Sequence, residues 1–215
     1  MTPPTTNRHG RRIGRNGRTG RTAALSVLAL AVSGALTACG GGPGPGPDVR
    51  MDSAAAGRTG PAAAPMKRSE PTRLQIPSAG VDSRPVLPLG LTGDGELDVP
   101  PVDRADRAGW FTKGVTPGEK GPAVLVAHYD TARGPALMKN VARMKTGDVI
   151  KVGRADGTTA TFKIREVQQV GKEHFPTDRV YGDTDRPELR LLTCGGPIVD
   201  GHRSDNIVFY ADLVK

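Results

Sequence analysis

The chain has 215 residues and a formal charge of +8, but its charge and its foldable part lie in different places. Residues 1–70 carry ten Lys/Arg against three Asp/Glu, whereas residues 71–215 carry twenty against nineteen. The folded part is therefore nearly neutral, which speaks against nucleic acid as a partner, and residues 1–70 hold too little apolar material to offset the entropy of ordering them.

The chain opens with six arginines between Arg8 and Arg21, followed by the apolar run Ala23–Leu36. A basic region before an apolar run too short to span a bilayer reads as a signal peptide over residues 1–38. The run ends in Leu36-Thr-Ala-Cys39-Gly, which resembles a bacterial lipobox. That resemblance implies that Cys39 is the lipidated N-terminus of the mature protein. An uncleaved signal anchor is the alternative, and either reading places the rest of the chain outside the cytoplasmic membrane. Residues 39–71, with their Gly-Pro repeats and scattered Ala, Ser and Thr, read as a disordered tether. Residues 72–215 are of a size for one domain.

Within that domain Thr72–Ile76 alternates and stops at Pro77, as a strand does. Ser83–Leu89 is a proline-bearing extended piece suited to a sheet edge, and Leu97–Pro101 is another. A short helical turn is expected over Asp103–Trp110, with Trp110 and Phe111 as core anchors. Ala123–Asp130 is an almost unbroken apolar run ending in His128, the pattern of a strand buried on both faces. Apolar residues at 137, 138, 141 and 144 predict a short amphipathic helix over Ala136–Met144, closed by Gly147. Asp148–Gly153 and Thr159–Val167 flank an Asp-Gly turn and predict a hairpin. One helical turn is expected at Thr177–Tyr181. Glu188–Cys194 reads as a buried strand that stops on Gly195-Gly196, and Asn206–Val214 as a second strand, with Arg203 in the loop between them. The fold class is thus all-β: a closed or nearly closed barrel of seven to eight strands with one or two short helices.

Chemistry points to the strand ends. Cys194 ends one strand and His128 another, so a rigid scaffold would fix both beside loops open to substrate. A cysteine nucleophile needs a basic partner, because an ordinary thiol, with a pKa of about 8.5, is mostly protonated at neutral pH. It also needs a donor for the oxyanion it creates, and the guanidinium of Arg203, nine residues on, can supply one. Two other readings of the same residues stand beside this one. Cys194 could be a small buried hydrophobe in a non-catalytic binding lipoprotein. His128 and Asp130 could also be half of a metal site, although zinc takes three or four protein ligands and no further ligand pair has suitable spacing. A papain-like arrangement does not fit, since that order is cysteine before histidine.

Taken together, Val126-Ala-His128-Tyr-Asp130, Thr193-Cys194-Gly195-Gly196 and Arg203-Ser-Asp-Asn206 resemble a sortase, most closely the actinobacterial class F group. The resemblance covers residues 72–215. It implies a barrel-shaped cysteine transpeptidase in which Cys194 attacks the Thr–Gly bond of a Leu-Pro-X-Thr-Gly-like sorting signal, His128 serves as general acid and base, and Arg203 stabilises the oxyanion. Thr193 and Asp130 are expected to support these three. The implied partners are secreted proteins with a C-terminal sorting signal and an amine acceptor of the cell wall, such as a peptidoglycan precursor. The protein is expected to be a membrane-tethered monomer with no cofactor. One residue departs from the family pattern. Arg190 stands four before the cysteine, where threonine is frequent; it is a rival cation, but about 13 Å away along the strand.

Overall fold

The computed structural model of the protein describes residues 46–47 and 63–215. Cys39, the apolar leader and His9 lie outside them. Eleven strands and one α-helical turn make up the described chain: β1 (Pro71–Ile76), β2 (Val81–Ser83), β3 (Leu87–Leu89), β4 (Ala108–Phe111), β5 (Gly121–Ala127), β6 (Asp130–Thr131), β7 (Gly134–Pro135), β8 (Val149–Arg154), β9 (Thr159–Gly171), α1 (Thr177–Tyr181), β10 (Pro187–Val199) and β11 (His202–Leu213). Nine of the strands form one sheet in the order β2-β1-β8-β9-β11-β10-β5-β4-β3, and β6 and β7 pair separately. Among the described residues no helix is long and apolar enough to cross a membrane.

The sheet curls until its edges nearly meet. Its two edge strands, β2 and β3, are separated in the chain only by residues 84–86. The fully buried Ser83 of β2 completes the approach. Its hydroxyl donates to the Asp106 carbonyl at 3.1 Å and accepts from the Ala108 amide of β4 at 3.2 Å. One serine thus stands in for the ladder that a closed barrel would have, and it satisfies an amide that would otherwise be buried unpaired.

The three central strands are buried on both faces, which is why their sequences are apolar without alternation. On β5, Ala123, Leu125 and Ala127 enter the barrel core with Leu189, Leu191, Ile207 and Phe209. Val124 and Val126 face outward, in a second cluster with Leu192, Val208, Tyr210, Leu87, Leu89 and Val180 of α1. That outer layer is the floor on which the functional residues sit.

The strand count exceeds the expected seven to eight, and four local expectations give way to the structure. Trp110 lies in strand β4 rather than in a helical turn; the turn is confined to Val102–Arg104. Ala136–Met144 is not a helix and holds only a single 3-10 turn, Val141–Arg143. Its first amides are used elsewhere: Ala136 donates to the Tyr129 carbonyl, Leu137 to that of Ala105 and Met138 to that of His128, and the later ones (Lys139 to Ala136, Val141 to Met138, Arg143 to Asn140, Met144 to Val141) close three-residue turns rather than α-helical ones. The apolar residues still reach the core, with Met138, Val141 and Met144 buried. Next, β10 does not stop at Gly195-Gly196; it continues to Val199, and Arg203 lies on β11 opposite Ile198 rather than in a loop. Finally, residues 63–70, which composition places in the tether, pack on the sheet. The Met66 amide donates to the Gly118 carbonyl, and the buried Arg154 guanidinium donates to the Lys67 carbonyl.

Arg190 is the residue that departs from the family pattern, and the structure gives it a structural task. Its Nη2 lies 2.7 Å from the fully buried Glu188 carboxylate, and its Nε donates to the Arg179 carbonyl of α1 at 3.0 Å. Its guanidinium stands 4.9 Å over the Tyr210 ring. It therefore fastens α1 to the sheet and is not free to serve an oxyanion. Breaking a buried pair by removing one partner costs about 3–5 kcal/mol. Arg190→Leu should lower stability by an amount at the bottom of that range, because Arg165 still contacts Glu188 at 3.0 Å; thermal unfolding measures the change.

Candidate active site

Cys194 lies on β10 opposite Asn206 of β11. On its other side β10 runs parallel to β5, with Leu192 paired to Val126 at the end of the ladder. Two residues further along each strand come Cys194 and His128. Neighbouring strands run about 4.8 Å apart, so this register sets the two residues side by side. Leu192 belongs to the outer cluster, and strand alternation turns Cys194 to the same face. The cysteine is half-buried and is the free cysteine of the described chain.

His128 is held through Nε2, which lies 2.7 Å from the Pro100 carbonyl. A carbonyl only accepts, so Nε2 carries the hydrogen and Nδ1 is left to take up or deliver a proton. The residue that fixes this tautomer, Pro100, sits 28 positions away in a loop, and nothing in the sequence marks it.

Arg203 joins the segments that carry the candidate residues. Its Nη1 donates to the Gly196 carbonyl at 2.9 Å, on the strand that carries Cys194. Its Nε and Nη2 donate to Asp130 at 3.1 and 2.5 Å, on the segment that follows His128. The guanidinium also lies 5.1 Å over the Tyr129 ring. Three of its five N–H groups are used in this way, which leaves one on each terminal nitrogen for a ligand. Pairing with Asp130 raises the affinity of Arg203 for its proton, so its charge is permanent. Asp130 is thus the counter-ion of Arg203, not half of a His-X-Asp metal pair. Thr193 takes the opposite face of β10 from Cys194; it is buried, and its hydroxyl has no hydrogen-bond partner among the described residues. His174 and His202 are both exposed.

Gly196 is where β10 departs from regular pairing, between Gly195 and Ile198. Its φ is +72°, and a Cβ there would fall 2.5 Å from Ser204 Oγ and 2.6 Å from the Asp205 carboxylate. A glycine is required at this place, because the turned backbone aims the Gly196 carbonyl at Arg203. Asp205 is held in turn by Gln169 at 2.6 Å and Ser204 at 2.7 Å.

Burial is the largest influence on the Cys194 thiol and pushes its pKa upward, with a smaller push from the Asp130 charge; Lys172 and Arg203 draw it down. Burial therefore favours the protonated thiol of Cys194.

The outer floor continues away from Cys194 through Leu192 and Val126 to a depression lined by Val124, Phe111, Tyr181, Lys113, Arg68 and Asp183. Val124 stands on β5 four residues before His128, which follows the last residue of that strand, about 13 Å back along the extended chain.

Comparison with known proteins supplies the class. The family model of the sortase domain matches residues 74–214, from β1 to just past β11. The chain belongs to the sortase family, a family of cysteine transpeptidases. Among solved structures it is similar to a lid mutant of sortase A from Corynebacterium diphtheriae (TM-score 0.52, 19% identity, 70% of this chain and 73% of that one). It is also similar to sortase C-1 from Actinomyces oris (0.50, 22%, 66% and 73%) and to a sortase D5 transpeptidase from Clostridium perfringens (0.50, 18%, 68% and 79%). At these identities the likeness is one of fold. A search of curated proteins gives no match.

Proposed function

We propose that the protein is a class F-type sortase, tethered outside the cytoplasmic membrane through its N-terminal segment, that cuts a Leu-Pro-X-Thr-Gly-like sorting signal between Thr and Gly and passes the acyl group to a cell-wall amine or to water. The observation that carries this reading is the bonding of Arg203 to both Gly196 and Asp130, which gathers the Cys194 and His128 segments at one end of the outer floor.

The steps follow from the groups present. His128 Nδ1 takes the Cys194 proton as Sγ attacks the Thr carbonyl carbon, and the C=O pair moves onto oxygen. The oxyanion receives the two N–H groups of Arg203 that Asp130 and Gly196 leave free. On collapse the C–N bond breaks, the departing glycine nitrogen takes the proton from His128, and the acyl group stays on Sγ as a thioester. An amine then gives its proton to neutral His128 and attacks the same carbon, which releases the thiol. An extended Leu-Pro-X-Thr segment spans about 13 Å. That is the separation between the catalytic end and the depression, where Val124, Phe111 and Tyr181 offer the leucine apolar contacts beside the charged Arg68, Lys113 and Asp183.

Mass spectrometry of the products tests the reading. Incubation with a sorting-signal peptide should release a fragment beginning at Gly, and a candidate amine should shift the other fragment to the mass of its conjugate. Cutting at any bond other than Thr–Gly, or no cutting across peptides with varied X, would sink it.

A further inference from the structure

His128 flanks Cys194 on the β5 side, and the β11 and β9 side carries two polar groups without partners. Cys194 pairs with Asn206 on β11, and Asn206 pairs with Val170 on β9. Paired residues share a face, so these three form one row on the outer floor, next to the row of Leu192, Val208 and Gln168. Asn206 is half-buried, and its carboxamide makes no hydrogen bond among the described residues. Strand β9 ends at Gly171, and the chain turns through Lys172. Two ladder steps put β9 about 10 Å from Cys194, and the four-carbon stem of Lys172 can span more than half of that distance. After burial, the Lys172 charge is the strongest influence on the Cys194 thiol, ahead of Asp130 and Arg203, which places the ammonium near the sulfur. The Arg203 charge is met by Asp130, whereas Lys172 is exposed and has no ion pair among the described residues. The neighbouring acids are engaged elsewhere: Glu173 turns to His174 at 3.2 Å, and Asp205 to Gln169 and Ser204.

We infer that Lys172 and Asn206 form a carboxylate-binding subsite on the side of Cys194 away from His128, which selects acceptor amines bearing a carboxylate a few bonds from the nitrogen. The inference rests on the acyl-transfer reading of Cys194. An ammonium and a carboxamide N–H both donate, and a carboxylate has the lone pairs to accept from both. The sorting signal runs from Cys194 past Leu192 and Val126 toward Val124, so the β9 side is left for the second reactant. Held there by its carboxylate, the amine meets the thioester carbon, its proton passes to neutral His128, and the electron pair of the C–S bond returns to sulfur.

Alkylation of Cys194 in the full-length protein gives the first test. Iodoacetate and iodoacetamide are attacked by the same thiolate and differ in charge, so the ratio of their rates does not depend on the thiol pKa. Lys172→Gln should cut the iodoacetate-to-iodoacetamide ratio several-fold, Lys172→Arg should keep it, and added salt should shrink the difference. Capture of the acyl group gives the second. A small peptide thioester loads Cys194 by exchange, so the acyl-enzyme forms whether or not a sorting signal is cut. Per unit of free base, glycine should capture the acyl group several-fold faster than glycinamide, and Lys172→Gln and Asn206→Leu should each lose that preference. Thermal unfolding checks that the variants fold as the parent does. Equal capture of glycine and glycinamide by the parent, or a preference that survives either substitution, would overturn the subsite; cutting of a sorting signal by the same protein would leave the sortase reading intact. A preference for glycine that both substitutions remove, with no sorting signal cut, would uphold the subsite and remove the sortase reading.

Discussion

Cys194→Ala should abolish cleavage of a sorting-signal peptide, with loss of at least the several orders of magnitude that covalent catalysis supplies. Among the described residues no neighbouring group is placed to replace it. Thr193 faces the opposite side of β10, and the carboxylate of Asp130 is engaged by Arg203. The variant should fold normally, because a half-buried cysteine replaced by alanine loses one sulfur atom's packing and no hydrogen bond. Retained binding of the peptide with absent turnover, measured together, separates loss of the nucleophile from loss of the site.

The second large effect belongs to Arg203 and its counter-ion. Arg203→Lys keeps a charge but has no fork with which to hold Asp130 and Gly196 while still reaching an oxyanion. A loss of about 100- to 1,000-fold in kcat is expected, the range for removing one oxyanion donor. Asp130→Asn separates two roles that otherwise change together. Asp130 holds Arg203 in place, but its charge also pushes the Cys194 thiol pKa up. Removing the charge should therefore shift the pH profile of Cys194 alkylation toward lower pH, while kcat falls because the guanidinium loses its orientation. Arg203→Ala should move the alkylation profile the opposite way, since Arg203 draws the thiol pKa down. In the parent protein burial dominates, so the midpoint of the alkylation profile should lie above about pH 8.5, the midpoint of an ordinary thiol. A pair of variants that both lower turnover and shift the thiol in opposite directions is a result that simple misfolding does not produce.

The parts of the fold that were legible in the sequence are those where each residue's environment is dictated by the sheet itself. The unbroken apolar run of β5 announced burial on two faces, and the Asp-Gly turn between β8 and β9 announced a hairpin. Ala136–Met144 misled because its apolar spacing fits a helix, whereas the amides of Leu137 and Met138 are taken by carbonyls of Ala105 and His128 that only the assembled barrel brings near, and the rest of the segment closes three-residue turns. Gly195-Gly196 misled in a different way. A glycine pair ends many strands, but here the positive φ of Gly196 lets β10 turn a carbonyl onto Arg203 and resume pairing. Cys194 and His128 were visible as residue types at strand ends, and Arg203 as a cation between two strands. Pro100 and Tyr129 were not, because a backbone carbonyl and a ring beneath a guanidinium leave no local signature. Arg190 looked like a rival cation from its charge alone; only its pairing with Glu188 and the Arg179 carbonyl shows that it holds α1 in place.

The claim on which everything else depends is that Cys194 carries the acyl group. Intact-protein mass spectrometry on the full-length chain, quenched in acid during turnover of a sorting-signal peptide, tests it most directly. The predicted result is an adduct of the peptide's N-terminal fragment through Thr, mapped to Cys194 and released by hydroxylamine as a thioester is. Cleavage of the peptide with no adduct at Cys194 would contradict the account, and so would an adduct that persists in the Cys194→Ala protein.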